Sequence, residues 1–136
     1  MYRYVVLIDG EAGAYGVTVP DLPGCTAIGA TVENALTNVV AAMRDWANVT
    51  EETGGAVPAP RCAEALRADP GVAAELATGA LLATVALVRE TDRPVPAYLS
   101  LDSGVLAILD AEAKRAGLTR SGMVEVLTRR LAAGTL

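Results

Sequence analysis

The chain contains no histidine and no phenylalanine, and it has one tryptophan among its 136 residues. Without histidine, Ser-His-Asp and Cys-His catalysis are excluded, and the commonest proton shuttle and the commonest metal ligand are missing. An enzyme built from this chain would therefore depend on its carboxylates. Because aromatic side chains are scarce, we expect an aliphatic core.

Cysteines and long apolar runs are also scarce. Cys25 and Cys62 lie far apart without a C-x-x-C pattern, so we expect two buried or idle thiols, not a metal knuckle or a redox pair. The longest uncharged run, residues 76–88, is too short to span a bilayer, and residues 1–4 do not resemble a signal peptide. The sequence therefore predicts a cytoplasmic protein with no membrane partner and no cofactor.

The net charge of −5 is distributed unevenly along the chain. Residues 1–92 carry five basic and twelve acidic side chains, a net of −7, whereas residues 93–136 carry six basic and four acidic ones, a net of +2. An acidic part attracts a basic protein, and a basic part suits a phosphate backbone. The alternative, that the acidic side chains only keep the chain soluble, stays open at this point.

The first 90 residues predict one sheet covered by a helix. Alternating apolar residues indicate strands over residues 2–8, 15–19 and 25–29, and Thr31 is placed to cap a long amphipathic helix. Two short helical turns and a buried strand over residues 81–88 complete an α+β layer.

The last 40 residues predict one strand and two helices. The strand covers residues 96–101, the first helix begins near Asp102 or Ser103 and stops at Gly117, and the second begins at Thr119. This unit is too small to bury a core alone, so we expect its apolar side chains to form a dimer core. These are Leu99, Leu101, Leu106, Leu109, Val124 and Leu127.

The order β-α-α of this segment resembles the ribbon-helix-helix family of DNA-binding proteins. The resemblance implies that two copies pair their strands into an antiparallel ribbon that enters the major groove. The polar side of the strand would then face the bases, and the start of the second helix would bind a phosphate. The candidate DNA-binding residues are Pro96, Tyr98, Ser100, Thr119, Arg120 and Ser121.

A second resemblance lies in the N-terminal part. The motif reads Gly16-Val17-Thr18-Val19-Pro20-Asp21-Leu22-Pro23-Gly24-Cys25, followed by Gly29, Thr31, Glu33, Ala35 and Leu36. It is similar to the signature of the HicB antitoxins. Asn34, Pro96 and Tyr98 depart from the residues usual in that family.

The HicB resemblance implies a truncated ribonuclease H-like β-β-β-α-β domain over residues 1–90, which inhibits a small basic HicA-type toxin that cleaves mRNA. It also implies that residues 91–136 are the ribbon-helix-helix domain through which the chain represses its own operon. The chain would then be an inhibitor and not an enzyme, and its toxin-contacting residues are not identified by the motif.

Two other readings remain open from the residues alone. One is a stand-alone ribbon-helix-helix regulator whose N-terminal domain senses a small molecule or drives oligomerisation. The other is a metal-dependent nuclease in which Asp9, Glu11, Asp21 and Glu33 converge on a metal, although turn and helix-cap roles explain these carboxylates more simply.

Overall fold

A computed structural model describes residues 1–135, in which four strands and five helices follow the predicted order. Seven elements were predicted in the N-terminal part and two helices in the C-terminal part, and all are confirmed to within a few residues at their ends. The elements are β1 (Arg3–Glu11), β2 (Ala14–Thr18), β3 (Thr26–Gly29), α1 (Val32–Glu52), α2 (Ala63–Arg67), α3 (Pro70–Ala77), β4 (Leu81–Ala86), α4 (Ser103–Arg115) and α5 (Arg120–Ala133).

The four strands form one antiparallel sheet in the order β3-β2-β1-β4. Successive side chains of a strand point to opposite faces, so Tyr4, Val6 and Ile8 of β1 pack under α1, whereas Val5 and Leu7 pack under α2 and α3. The central strand is thus buried on both sides. The predicted α+β fold class is confirmed.

The hairpin between β1 and β2 depends on a glycine. Gly10 has φ +93°, and a Cβ atom there would lie 2.2 Å from the carbonyl oxygen of Ala14. Only glycine combines a positive φ with this close approach of two backbones. The hairpin fixes the register in which Asp9 faces Gly16 across the two strands.

The two C-terminal helices begin where the capping residues predicted. Asp102 accepts hydrogen bonds from the backbone N–H groups of Gly104 and Val105 in α4, and Thr119 accepts one from the backbone N–H of Gly122 in α5. The last turn of α5 packs on α1 and β4, where Ala132 and Ala133 are buried. Helix α5 therefore packs the C-terminal segment against the N-terminal part of the chain.

The strand predicted over residues 96–101 is absent from the single chain, in which residues 87–102 form neither helix nor strand. A strand needs a neighbour for its backbone N–H and C=O groups, and the predicted neighbour is a second copy. Among residues 1–135, no helix is long and apolar enough to cross a membrane.

Candidate functional site

An open apolar groove of about 550 Å³ lies between the segment over residues 95–101 and the helices α4 and α5. Five of the six predicted dimer-core residues line it, namely Leu99, Leu101, Leu106, Leu109 and Val124. Leu127, the sixth, is half-buried on α5 and does not line the groove. Leu99 and Leu101 remain 65% and 42% exposed, so part of this apolar surface is not covered in one chain.

The candidate DNA-facing residues of the strand segment are all exposed. Tyr98 is 96% exposed, and Pro96 and Ser100 are exposed beside it. Pro96 and Tyr98 line the same groove as Leu99 and Leu101. In the single chain, the predicted DNA-facing and dimer-core residues of this segment are therefore not separated onto two sides.

Two side chains at the start of α5 already form hydrogen bonds within the chain. The hydroxyl of Thr119 accepts the backbone N–H of Gly122 at 3.0 Å, which is its capping role. Arg120 donates two hydrogen bonds to Asp110 of α4, at 2.8 and 2.9 Å, which raises the pKa of the guanidinium and lowers the pKa of the carboxyl. Ser121 is exposed. To bind a phosphate, Arg120 must first break its hydrogen bonds to Asp110.

Glu90 holds α5 to the N-terminal part of the chain. Its carboxylate accepts a hydrogen bond of 2.6 Å from Arg129 of α5 and lies 4.0 Å from the guanidinium of Arg44 on α1. The hydrogen bond from Arg129 lowers the pKa of Glu90. Nothing in the sequence pattern indicates this role for Glu90, because its partner lies 39 positions away.

The loop over residues 20–24 is anchored from two sides. The Asp21 side chain is 7% exposed and accepts two hydrogen bonds from Arg61, 2.7 Å from the backbone N–H and 2.6 Å from Nε. Arg61 also contacts Asp69, the residue that caps α3, and the indole N–H of Trp46 donates to the carbonyl of Pro23 at 2.9 Å. These contacts hold the loop in one position between α1 and α3.

The carboxylates considered as metal ligands take separate places. Asp21 is bound to Arg61, Glu33 lies in the first turn of α1, and Asp9 and Glu11 lie on β1. Within residues 1–135, no three His, Cys, Asp or Glu side chains are grouped to hold a metal ion. Burial raises the pKa of the Cys25 thiol to about 11, as expected for a packing residue.

Residues 4–128 match the family described as HicB-like antitoxin of bacterial toxin-antitoxin system. The chain belongs to this family. The match spans the sheet, the anchored loop and most of α5. No curated protein sequence is significantly similar to this HicB-like chain.

Solved structures agree with the family. The antitoxin HicB of Burkholderia pseudomallei is 29% identical, with a TM-score of 0.54 over 96% of this chain and 98% of that one. The separately crystallised N-terminal domain of that antitoxin is 30% identical, with a TM-score of 0.50 over 62% of this chain and 95% of that one. A chain of the HicA3 and HicB3 toxin-antitoxin complex shares the fold at 23% identity, with a TM-score of 0.51 over 61% of this chain and 94% of that one.

Proposed function

We propose that this HicB-like antitoxin binds and inhibits a HicA-type toxin that cleaves mRNA, and that it represses its own operon by binding DNA as paired copies. The observation that carries the proposal is the family match over residues 4–128, which includes both the sheet and the C-terminal helices. The solved complex of HicA3 with HicB3 is a precedent for a toxin partner. In this proposal residues 1–90 neutralise the toxin, and residues 91–136 bind DNA.

The charge of the N-terminal part supports inhibition by direct contact. An enzyme that binds RNA presents cations to the phosphate backbone. Residues 1–92 have a net charge of −7, which attracts such a surface and accelerates encounter. The chain then acts by covering the surface of the toxin, and no chemical step on the antitoxin is needed.

The apolar groove supports the pairing of two copies. In a ribbon formed by two strands over residues 96–101, each backbone gains the hydrogen-bond partner that it lacks in one chain. The same pairing covers the exposed side chains of Leu99 and Leu101. Tyr98 and Ser100 then face away from the apolar side, where a two-stranded ribbon contacts base edges in the major groove.

Co-expression with a candidate HicA-type toxin, sought in the reading frames beside the gene, tests the toxin half of the proposal. We expect the two proteins to co-purify as a stable complex, and we expect the antitoxin to rescue cells that express the toxin. A candidate toxin that neither binds this chain nor is neutralised by it would contradict the antitoxin function.

The substitution Leu109→Asp tests the paired C-terminal segment. A carboxylate buried without a partner at this groove position costs several kcal/mol, which is enough to dissociate a small dimer. The matched control is Ala107→Asp, on an exposed position of the same helix. Sedimentation should show smaller particles for Leu109→Asp alone, with loss of operator binding. An unchanged oligomer that still binds the operator would refute the pairing.

A further inference from the structure

One half of the sheet has a face that none of the helices within residues 1–135 covers. The helices α2 and α3 pack on Val5, Leu7 and Leu82, which belong to β1 and β4. On the same face, the strands β2 and β3 and the end of β1 remain open to solvent. We name this the open sheet face, and its residues are Asp9, Glu11, Gly16, Thr18, Thr26 and Ile28.

The open sheet face carries an exposed apolar side chain. Asp9, Gly16 and Ile28 stand opposite one another across the three strands. Gly16 contributes no side chain, so the carboxylate of Asp9 lies over it: a Cβ atom on Gly16 would be 2.8 Å from Asp9 Oδ1. Ile28 is 78% exposed on the edge strand β3.

A groove of about 320 Å³ continues this face toward α3. Thr18 and Thr26 form part of its floor, Glu75 of α3 lies on one side, and Pro20 and Pro23 of the anchored loop lie on the other. Because Arg61 and Trp46 hold the loop in place, the groove is formed before any partner arrives. A preformed surface avoids the entropy cost of ordering a loop on binding.

The charge of this surface is mainly negative. Asp9, Glu11 and Glu75 form no ion pair within the part of the chain that the structure describes. Arg61, a cation that lines the groove, is bound to Asp21 and Asp69. The surface therefore offers carboxylates and one apolar contact to a partner that brings the positive charge.

We infer that the open sheet face and its groove are the surface on which the cationic, RNA-binding side of the toxin docks. This inference rests on the proposed toxin-neutralising function and names the surface that performs it. Nucleic acid is disfavoured because its phosphates would meet carboxylates. A second copy of the chain is disfavoured as well, because a two-fold contact through this face places like charges against each other.

Two substitutions at one position test the docking surface. Ile28→Lys and Ile28→Glu remove the same apolar side chain but introduce opposite charges, and neither disturbs the core because Ile28 is exposed. Val49→Lys and Val49→Glu are the matched controls, since Val49 is 58% exposed on α1, on the other side of the sheet. Each variant is made in the full chain and checked for unchanged thermal unfolding.

The probe is the candidate HicA-type toxin, made catalytically inactive, and its dissociation constant is measured at low and high salt. We expect Ile28→Lys to weaken binding by about tenfold or more, mainly through slower association, and Ile28→Glu by less than about threefold. High salt should reduce the difference in dissociation constant between Ile28→Lys and Ile28→Glu. Both Val49 variants should bind as the parent chain does.

The possible failures have different meanings. If the parent chain binds the toxin and both Ile28 variants bind it with the parent's affinity, the proposed docking surface is wrong and the proposed function stands. Equal losses from Ile28→Lys and Ile28→Glu would overturn the charge argument. A change of oligomeric size in the Ile28 variants, with toxin binding intact, would assign the face to self-association. If the parent chain does not bind the toxin at all, the proposed function itself fails.

Discussion

The substitution Gly29→Ala should be one of the most destabilising single-methyl changes in the chain. Gly29 ends β3 and lies directly against the first turn of α1. A Cβ atom there would be 2.4 Å from the backbone nitrogen of Ala35 and 2.8 Å from its Cα. Both atoms belong to the helix backbone, so no side chain can rotate away to make room.

The size of the effect follows from this geometry. Ordinary van der Waals contact begins near 3.4 Å, so the strand and the helix must separate by about 1 Å. That shift loosens Ala35, Leu36 and Val39, which pack against the sheet. Overpacking of a core costs about 1–3 kcal/mol, and contact with a rigid backbone belongs at or above the upper end. A loss of about 3 kcal/mol is a large part of the total stability of a small domain.

Gly13→Ala is the matched control. Gly13 lies in the turn between β1 and β2 with φ +89°, and no atom lies within 4 Å of a Cβ built there. Only the backbone strain of about 1–2 kcal/mol applies. Urea unfolding should therefore give a much lower free energy of unfolding for Gly29→Ala than for Gly13→Ala. The protein concentration is kept the same in each experiment, because oligomerisation affects apparent stability. If Gly29→Ala lost less than the control, the close approach of β3 and α1 would be wrong.

Three further predictions concern single contacts. Tyr98→Ala should weaken operator binding by about 1–3 kcal/mol and narrow the gap to scrambled DNA. Arg120→Ala should instead weaken binding to the operator and to scrambled DNA alike, and it should reduce the dependence of log affinity on log salt concentration. Salt titrations in which both substitutions cause equal losses of specificity would refute this division of roles. Because Arg129 lowers the pKa of Glu90, the ion pair stabilises the fold above the ordinary carboxyl pKa of 4.5 and is lost as the pH falls. The difference in thermal stability between the parent and Glu90→Gln should accordingly shrink from pH 7 to pH 4.

Local signals explain why most helices and strands could be predicted. Alternation in β1 and β2, the 3.6-residue stripe of α1, and the caps Thr31, Asp102 and Thr119 each act within a few residues. Their physical cause is local, so the sequence contains it. The family-like motif likewise identified the loop over residues 20–24, although not the contacts that hold it.

Long-range pairs could not be predicted in the same way. Asp21 and Arg61 are 40 positions apart, and Glu90 and Arg129 are 39 apart, so no periodicity or spacing connects them. The open sheet face was missed for the same reason. Its existence depends on which strands α2 and α3 cover, and that depends on the strand order of the finished sheet.

The end of α5 shows how an amphipathic pattern can mislead about packing. Val124, Leu127 and Leu131 recur at helical spacing along α5, yet Leu131 is exposed while its small neighbours Ala132 and Ala133 pack against α1 and β4. Small side chains let the helix approach α1 closely, which a leucine at either position would prevent.

This close packing gives α5 two roles along one rigid rod of about 21 Å. Its first half lines the apolar groove proposed for pairing, and its last turn is fixed to the N-terminal sheet by Ala132, Ala133 and the Arg129–Glu90 pair. When two copies pair through the groove, the position of each sheet is therefore set by the helix and not by the irregular segment over residues 87–102. If the proposed ribbon and docking surface both form, the two open sheet faces hold a fixed relation to the ribbon, and a toxin on one face would lie at a defined distance from the operator.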